Sequence, residues 1–198
     1  VCNASGYSNT SVSELVIGLC LNIYRKINSG DFGTRNQKLS GEFKGKEIKG
    51  KTVGIIGTGN IGLETAKLFK AFRSDVIAYS RSEKQEALDM GITYYPIEEV
   101  LEKSDIVSIH LPLNDHTVNF LDEEKISHMK EDAILINCSR GPIVDNKALA
   151  QALNEERIAA AGIDVFDMEP PIPTDYCLLS SKNTLLTPHI AYLTEESM

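Results

Sequence analysis

The chain has few cysteines and lacks the segments that mark secreted or membrane proteins. Its four cysteines form no CxxC pair and are too sparse for a disulfide scaffold, so we expect free thiols in a reducing compartment, the cytoplasm. No apolar run reaches the roughly 18 residues of a membrane span, and no charged and apolar leader opens the chain. Because the chain begins at Val1 rather than Met, we expect a piece of a longer protein or a processed start.

Positive charge is also scarce. The 20 Lys and Arg residues are outnumbered by 28 Asp and Glu residues, which gives a net charge of −8 and a pI near 5.1. Binding to a phosphate backbone depends on clustered cations, and the sequence contains no basic stripe. We therefore expect no nucleic-acid or membrane partner, and we assign no metal ligands. With 198 residues and 42% hydrophobic content, the chain is long enough to bury a core of its own.

From Lys51 onward, short apolar runs alternate with stretches of helical periodicity. Runs rich in β-branched residues are typical of strands covered on both faces, so the sequence predicts an α/β fold with a doubly wound parallel sheet of the Rossmann type. The predicted strands are Thr52–Ile56, Asp75–Tyr79, Asp105–Ile109, Ala133–Asn137, Ala159–Val165 and Thr184–Leu186. The predicted helices cover residues 61–72, 83–90, 97–103, 123–129 and 145–156.

An amphipathic helix is predicted before this core. Residues 11–14 (Ser-Val-Ser-Glu) have the pattern of a capping box, and apolar residues then recur at helical spacing from Val12 to Ile27. Asn28-Ser29-Gly30 is expected to end the helix. We interpret the chain as a single dinucleotide-binding domain, made of an N-terminal helix (1–30), a connecting arm (31–50) and a Rossmann core with catalytic loops (51–189).

A glycine-rich fingerprint follows the first predicted strand. Gly57, Gly59 and Gly62 have the GxGxxG spacing, and they lie between a strand and a helix, the context that a dinucleotide site requires. Gly57 permits a tight turn, Gly59 lets the backbone approach a pyrophosphate, and Gly62 lets the helix pack closely on the strand. Backbone N–H groups at the helix start would hold the phosphates. A structural turn without a ligand is the alternative.

The end of the second predicted strand bears on the choice of cofactor. An acidic side chain that binds the ribose 2′-hydroxyl is usual here, but this chain has Ser80 and Arg81. Ser80 removes the charge that repels a 2′-phosphate, and Arg81 could pair with one. We therefore expect NAD or NADP as cofactor, with tolerance of NADP slightly favoured. Arg81 could instead be a solvated side chain, with NAD bound.

Three polar residues of the last third could carry chemistry on a 2-keto acid. Arg140 offers a bidentate fork for a carboxylate and can polarise a developing alkoxide. His189 can exchange a proton with the substrate oxygen, and a nearby Glu169 would favour its imidazolium form and fix its orientation. Taken singly, they could also be a surface ion-pair residue, a helix-start residue and a solvated loop acid.

Five motifs together resemble one known family. In chain order they are 57–62 (GTGNIG), 110–113 (HLPL), 137–145 (NCSRGPIVD), 162–170 (GIDVFDMEP) and 188–191 (PHIA). The chain resembles the NAD-binding domain of the D-isomer-specific 2-hydroxyacid dehydrogenases along nearly its whole length. The resemblance implies an oxidoreductase that interconverts a D-2-hydroxy acid and a 2-keto acid by hydride transfer.

The resemblance also implies roles for single residues. Arg140 would bind the substrate carboxylate and carbonyl, His189 would be the acid/base, and Glu169 would pair with His189. Asp164 would accept a hydrogen bond from the nicotinamide carboxamide. The other implied cofactor contacts are Asn60 and Ile61 at the pyrophosphate, Pro112 and Thr117 beside the adenosine half, and Cys138 and Ser139 near the nicotinamide.

The family's substrate domain is expected to be absent from these 198 residues. We therefore expect the chain alone to bind cofactor with little turnover. The resemblance also implies a homodimer in which the N-terminal helix packs against its mate, although core packing within one chain would explain the same apolar stripe. A nucleotide-sensing protein like the family's corepressors and an inactive cofactor-binding fragment are the alternative functions. The particular 2-hydroxy acid is not identified by the sequence.

Overall fold

A computed structural model describes residues 8–38, 43–168 and 171–197. Helices and strands alternate through most of the chain. The strands are β1 (Thr52–Ile56), β2 (Asp75–Tyr79), β3 (Thr93–Tyr94), β4 (Ile106–Ile109), β5 (Ile134–Asn137), β6 (Ala160–Ile163) and β7 (Thr184–Leu186). The α-helices are α1 (Asn9–Arg25), α2 (Ile27–Arg35), α3 (Asn60–Ala71), α4 (Gln85–Asp89), α5 (Ile97–Lys103), α6 (Glu123–Ser127) and α7 (Asn146–Asn154).

The strands form one seven-stranded sheet in the order β3-β2-β1-β4-β5-β6-β7. All pairings are parallel, and the order reverses direction between β1 and β4. Strands β4, β5 and β6 are buried along their full length because α1 and α3 cover one face and α5, α6 and α7 cover the other. This arrangement confirms the predicted doubly wound α/β fold.

The strand predictions agree closely with the structure, apart from one omission. Three of the six predicted strands have the observed bounds, and the others shorten by one to three residues. Strand β3 was not predicted, because Thr93–Tyr94 is only two residues long. The five core helices all occur, within two residues of their predicted bounds at either end.

The predicted capping box at residues 11–14 is wrong. Helix α1 begins earlier, at Asn9, so Ser11 lies inside its first turn. The hydroxyl of Ser11 donates to the carbonyl of Ser8 at 3.0 Å, and that of Ser13 donates to Thr10 at 2.8 Å. Both serines therefore bond back to their own helix instead of capping it.

The predicted helix stop and part of the predicted arm are also wrong. Helix α1 ends at Arg25, where Lys26 adopts a left-handed conformation with φ 52°, and α2 then runs through the expected stop. Asn28 is held by Asn22, which accepts its N–H at 3.1 Å and donates to its side-chain oxygen at 2.9 Å. The polar residue that was expected to end one helix thus helps to start the next.

Helix α1 belongs to the core of the domain. Its buried residues share one apolar cluster with α3 and with the sheet, as Val16 and Cys20 illustrate. Most of the apolar stripe is therefore covered within the chain, although Ile27 at its end is 53% exposed. No helix in the described parts of the chain is long and apolar enough to cross a bilayer.

Candidate active site and cofactor site

The register of the sheet aligns the ends of six strands at one edge. Tyr79 pairs with Ile56, Ile56 with Ile109, Ile109 with Asn137, Asn137 with Ile163, and Ile163 with Leu186. The residues that follow this row carry nearly all the predicted site. In parallel α/β sheets, ligands bind at this carboxyl edge near the point where the strand order reverses.

The glycine turn after β1 depends on close backbone approaches. Gly57 has φ 99°, and its N–H donates to the carbonyl of Tyr79 at 2.8 Å. A Cβ on Gly57 would lie 2.8 Å from the carbonyl oxygen of His110, and one on Gly62 only 2.0 Å from that of Gly57. The turn and the start of α3 therefore fit together only with glycine at these two positions.

The N-terminus of α3 opens towards the same edge. Gly59 precedes the helix, no side chain caps it, and a Cβ on Gly59 would meet no atom within 4 Å. The first backbone bond runs from Leu63 N–H to Gly59 at 2.9 Å, so Asn60 and Ile61 present helix-start N–H groups. Asn60 is exposed and Ile61 is partly buried. These features are typical of a phosphate-binding helix start.

Ser80 and Arg81 follow β2 beside this turn. Ser80 is partly buried, whereas Arg81 is exposed. Among the described residues, Arg81 makes none of the ion pairs. Its guanidinium is thus available for a ligand.

The loop after β4 contains Pro112 and Thr117. The Thr117 hydroxyl donates to the carbonyl of Pro112 at 2.7 Å and accepts the N–H of Asn114 at 2.8 Å, which closes the loop on itself.

At the base of this loop, His110 contacts the hydroxyl of Ser108 at 2.9 Å. His110 keeps some exposed surface, but burial lowers the pKa of its imidazole to about 3. The imidazole is therefore uncharged at neutral pH.

The turn that carries Arg140 is organised by Asn137, a buried residue to which the sequence assigned no role. Its side-chain oxygen accepts the N–H of Ser139 at 3.0 Å, and its amide donates to the carbonyl of Arg140 at 3.1 Å. The Ser139 hydroxyl donates to the carbonyl of Leu111, which ties this turn to the loop after β4. Arg140 is exposed, and within the described residues its guanidinium donates to the neighbouring Ser139 carbonyl, at 2.7 Å.

Gly141 brings the Arg140 turn against the segment after β6. A Cβ on Gly141 would lie 1.9 Å from the carbonyl carbon of Phe166 and 2.4 Å from the N of Asp167. Only a glycine allows this approach. Glu169, two residues further on than Asp167, lies outside the described residues, so its pairing with His189 stays a prediction.

His189 lies in a turn after β7 and has an unusual backbone conformation. Its φ is 58°, a left-handed value that few non-glycine residues adopt, and its N–H donates to the carbonyl of Thr187 at 3.0 Å. The rings of His189 and Tyr192 lie nearly perpendicular to each other, with 5.4 Å between their centroids. His189 is partly exposed.

Asp164 holds the His189 turn in place. One oxygen of its carboxylate accepts the Thr187 hydroxyl at 2.6 Å and the N–H of Ile190 at 2.9 Å, and the other accepts the N–H of Ala191 at 2.9 Å. Asp164 is fully buried. Its carboxylate is thus engaged by the protein itself, a role that the sequence did not suggest. The implied contact with the carboxamide stays a prediction.

Cys138 is buried between these turns. Burial, followed by the nearby Asp164 carboxylate, raises the pKa of its thiol far above the usual value. Cys138 is therefore a neutral thiol that packs as a small apolar group.

The fold and the glycine turn define a dinucleotide-binding domain of the Rossmann class. Residues 17–191 match the family described as "D-isomer specific 2-hydroxyacid dehydrogenase, NAD binding domain". The chain belongs to this family and is an NAD-binding domain of it.

Known proteins resemble the chain along its length. It is 38% identical to the glyoxylate reductase of Thermofilum pendens, over 100% of this chain and 60% of that protein. The D-lactate dehydrogenase of Aquifex aeolicus, solved with NAD and lactic acid, has a TM-score of 0.91 and 31% identity over 97% of this chain and 62% of that one. An acyclic imino acid reductase solved with NADPH and D-Arg has a TM-score of 0.86 and 35% identity over 96% and 61% of the two chains. The chain thus spans less than two thirds of these proteins.

Proposed function

We propose that the chain is the cofactor-binding and proton-transferring part of an oxidoreductase that interconverts a D-2-hydroxy acid and a 2-keto acid. The observation that carries the proposal is the alignment of the strand ends, with Arg140 after β5, Asp164 after β6 and His189 after β7. The glycine turn lies on the same edge, after β1. A substrate held between these turns would face a nicotinamide bound along that edge.

The pyrophosphate would bind at Gly59, Asn60 and Ile61, where the helix-start N–H groups and the open side of Gly59 are available. Pro112 and Thr117 would flank the adenosine half. A bound reduced nicotinamide supplies the hydride. Cys138 and Ser139 would lie beside it, and their fixed positions would help to orient the ring.

Arg140 would grip the substrate carboxylate through two parallel N–H bonds and stabilise charge on the carbonyl oxygen. His189 would donate a proton to that oxygen during reduction and remove it during oxidation. Glu169 would orient the imidazole by accepting its second N–H. Asp164 would hold the His189 turn in place, because it binds the Thr187 side chain before His189 and the backbone N–H groups of Ile190 and Ala191 after it.

The cofactor could be NAD or NADP. Arg81 is exposed and, within the described residues, without an ion-pair partner, so it could bind a 2′-phosphate. Ser80 carries no charge that would repel one. We propose that the site accepts NADP as well as NAD.

The substrate is proposed as a small 2-keto or 2-hydroxy acid, in line with the names of the glyoxylate reductase and the D-lactate dehydrogenase above. Because the chain spans only 60% of the glyoxylate reductase, we expect these residues alone to bind cofactor with little turnover. A homodimer and a cytoplasmic location are further parts of the proposal. These enzyme names favour a dehydrogenase over a nucleotide-sensing regulator.

The test is a substrate screen on a protein of full family length that carries these residues. Glyoxylate, hydroxypyruvate, pyruvate and bulkier 2-keto acids would be reduced with NADH and with NADPH. We expect Arg140→Ala to lower kcat/KM by about 100-fold or more, through loss of a charge-assisted bidentate contact and of alkoxide stabilisation. Arg140→Lys should recover only part of that loss. Full activity in Arg140→Ala would refute the proposal for carboxylate binding.

A further inference from the structure

Tyr94 makes two hydrogen bonds that bridge separate loops of the cofactor site. Its hydroxyl donates to the hydroxyl of Thr58 at 2.8 Å and accepts the backbone N–H of Lys84 at 3.1 Å. Thr58 lies between Gly57 and Gly59 in the glycine turn, and only 1% of its surface is exposed. Lys84 ends the loop that begins with Ser80.

The sheet fixes the position from which Tyr94 acts. Tyr94 pairs with Ala78 on β2, and the N–H of Tyr95 donates to the carbonyl of Ala78 at 2.9 Å. The phenol therefore starts from a paired strand and reaches past the end of β2 to the turn after β1. Its oxygen lies between the turn proposed for the pyrophosphate and the loop proposed for the ribose 2′ position.

We propose that Tyr94 is a positioning residue that sets the spacing between the glycine turn and the loop of residues 80–84. The inference rests on the proposed dinucleotide site and adds to it a residue that acts through Thr58 and Lys84. The short link between the pyrophosphate and the ribose of a dinucleotide allows only a limited range of distances to the 2′ substituent, so both loops must be held at a matching separation for each to make its contacts.

The alternative explanation is that the two hydrogen bonds of Tyr94 only satisfy polar groups at the end of the sheet. That role would affect the stability of the fold, and any loss of binding would then be the same for both dinucleotides. If Tyr94 sets the spacing, its substitution affects the contacts of the adenosine end of the dinucleotide specifically. The ratio of the dissociation constants for NADPH and NADH therefore distinguishes a spacing role of Tyr94 from a purely stabilising one.

The experiment is a fluorescence titration of the 198-residue chain with NADH and with NADPH. The variants are Tyr94→Phe, Thr58→Val and the double variant. Tyr94→Phe should weaken binding of the preferred dinucleotide by about 3- to 10-fold, the range expected for one or two lost hydrogen bonds, and should change the NADPH/NADH ratio. The double variant should bind no more weakly than the weaker single variant, because both substitutions remove one shared contact.

Tyr95→Phe is the matched control. It removes the same hydroxyl from the adjacent residue, whose ring contacts Lys103 rather than the glycine turn, so dinucleotide binding should be unchanged. The inference is overturned if Tyr94→Phe binds both dinucleotides as the wild type does or loses both equally. It is also overturned if Tyr95→Phe weakens binding as much, or if the effects of Tyr94→Phe and Thr58→Val multiply. A wild-type chain that binds neither dinucleotide would instead refute the proposed function, and the inference with it.

Discussion

The glycine turn and the turns that carry Arg140 and His189 are built differently, although they share one edge of the sheet. The glycine turn is held mainly by close backbone approaches among Gly57, Gly62 and His110, with one side-chain hydrogen bond from Tyr94 to Thr58. The turns that carry Arg140 and His189 are held by buried polar side chains, Asn137 and Asp164, that bind the backbone of their neighbours.

The difference matches the different ligands proposed for the two parts of this edge, a pyrophosphate at the glycine turn and a substrate at the turns that carry Arg140 and His189. A pyrophosphate is bound by backbone N–H groups, so the main chain itself must be held rigidly. A substrate needs charged side chains that reach into a cleft while their backbone stays fixed. Buried anchors such as Asp164 supply that fixation. Substitutions of Asn137 or Asp164 should therefore disturb the turns that carry Arg140 and His189 and leave the glycine turn intact.

The largest effect is expected from Asp164→Ala. It leaves three donors, the Thr187 hydroxyl and the N–H groups of Ile190 and Ala191, without their buried acceptor. We expect the free energy of unfolding to fall by about 3 to 5 kcal/mol, measured by urea denaturation. Asp164→Asn keeps one acceptor oxygen and should lose less. Equal stability of wild type and Asp164→Ala would contradict the anchoring role.

Gly141→Ala should have the next largest effect. The new Cβ would overlap the carbonyl of Phe166, so two backbone segments must separate. We expect a loss of about 2 to 3 kcal/mol in thermal or chemical unfolding, since such overpacking is costly.

Gly18→Ala is the control for that substitution. Gly18 lies within α1, and a Cβ there would meet no atom within 4 Å. This variant should be more stable than the wild type, by about 0.5 to 1 kcal/mol, because alanine favours a helix. If both variants were equally stable, the close approach at Gly141 would not matter.

The pH dependence of stability tests the protonation of His110, which packs against the glycine turn. His110 has a folded-state pKa of about 3, below its value of 6.5 when unfolded. Between these values the unfolded state binds the proton and the folded state does not, so stability is complete above pH 6.5 and declines as the pH falls towards 3. The contribution of His110 should change by up to about 1.4 kcal/mol per pH unit.

Denaturation of wild type and His110→Asn from pH 7 to pH 4 isolates this contribution. The variant should start from a different stability, since the contact with Ser108 changes, but its stability should fall less steeply. Parallel curves for the two proteins would show that His110 is protonated equally in both states.

The smallest effect is expected at the rim of the cofactor site. Arg81→Ala should raise the KM for NADPH by about 5- to 10-fold, because an exposed guanidinium–phosphate contact is lost, and leave the KM for NADH nearly unchanged. Steady-state kinetics on a protein of full family length would measure both. A clear preference of the wild type for NADH would count against an Arg81–phosphate contact.

Local patterns predicted much of the fold and the glycine turn. The apolar runs of β1 and β2 and the GxGxxG spacing are contiguous in sequence, so they could be recognised without knowledge of distant contacts. Strand β3 was missed because Thr93–Tyr94 depends on its pairing with β2 rather than on its own pattern. Helix α2 was missed because the contact of Asn22 with Asn28 overrides the helix-stopping tendency of the latter.

The contacts that hold the Arg140 and His189 turns could not be predicted, because they join residues that are distant in sequence. The partners of Asp164 lie 23 to 27 residues away in sequence, and the approach of Gly141 to Phe166 spans two strands. The motifs located Arg140 and His189, but they did not indicate which buried groups hold them. Glu169 lies outside the described residues, so its role is still a prediction.

The most direct test of the shared edge is a crystal structure of a protein of full family length, bound to a dinucleotide and a 2-hydroxy acid. The account predicts the pyrophosphate at the start of α3, with the Arg140 guanidinium and the His189 imidazole within roughly 3 Å of the acid's carboxylate and hydroxyl. An acid bound with either side chain pointing to another face of the domain would contradict it.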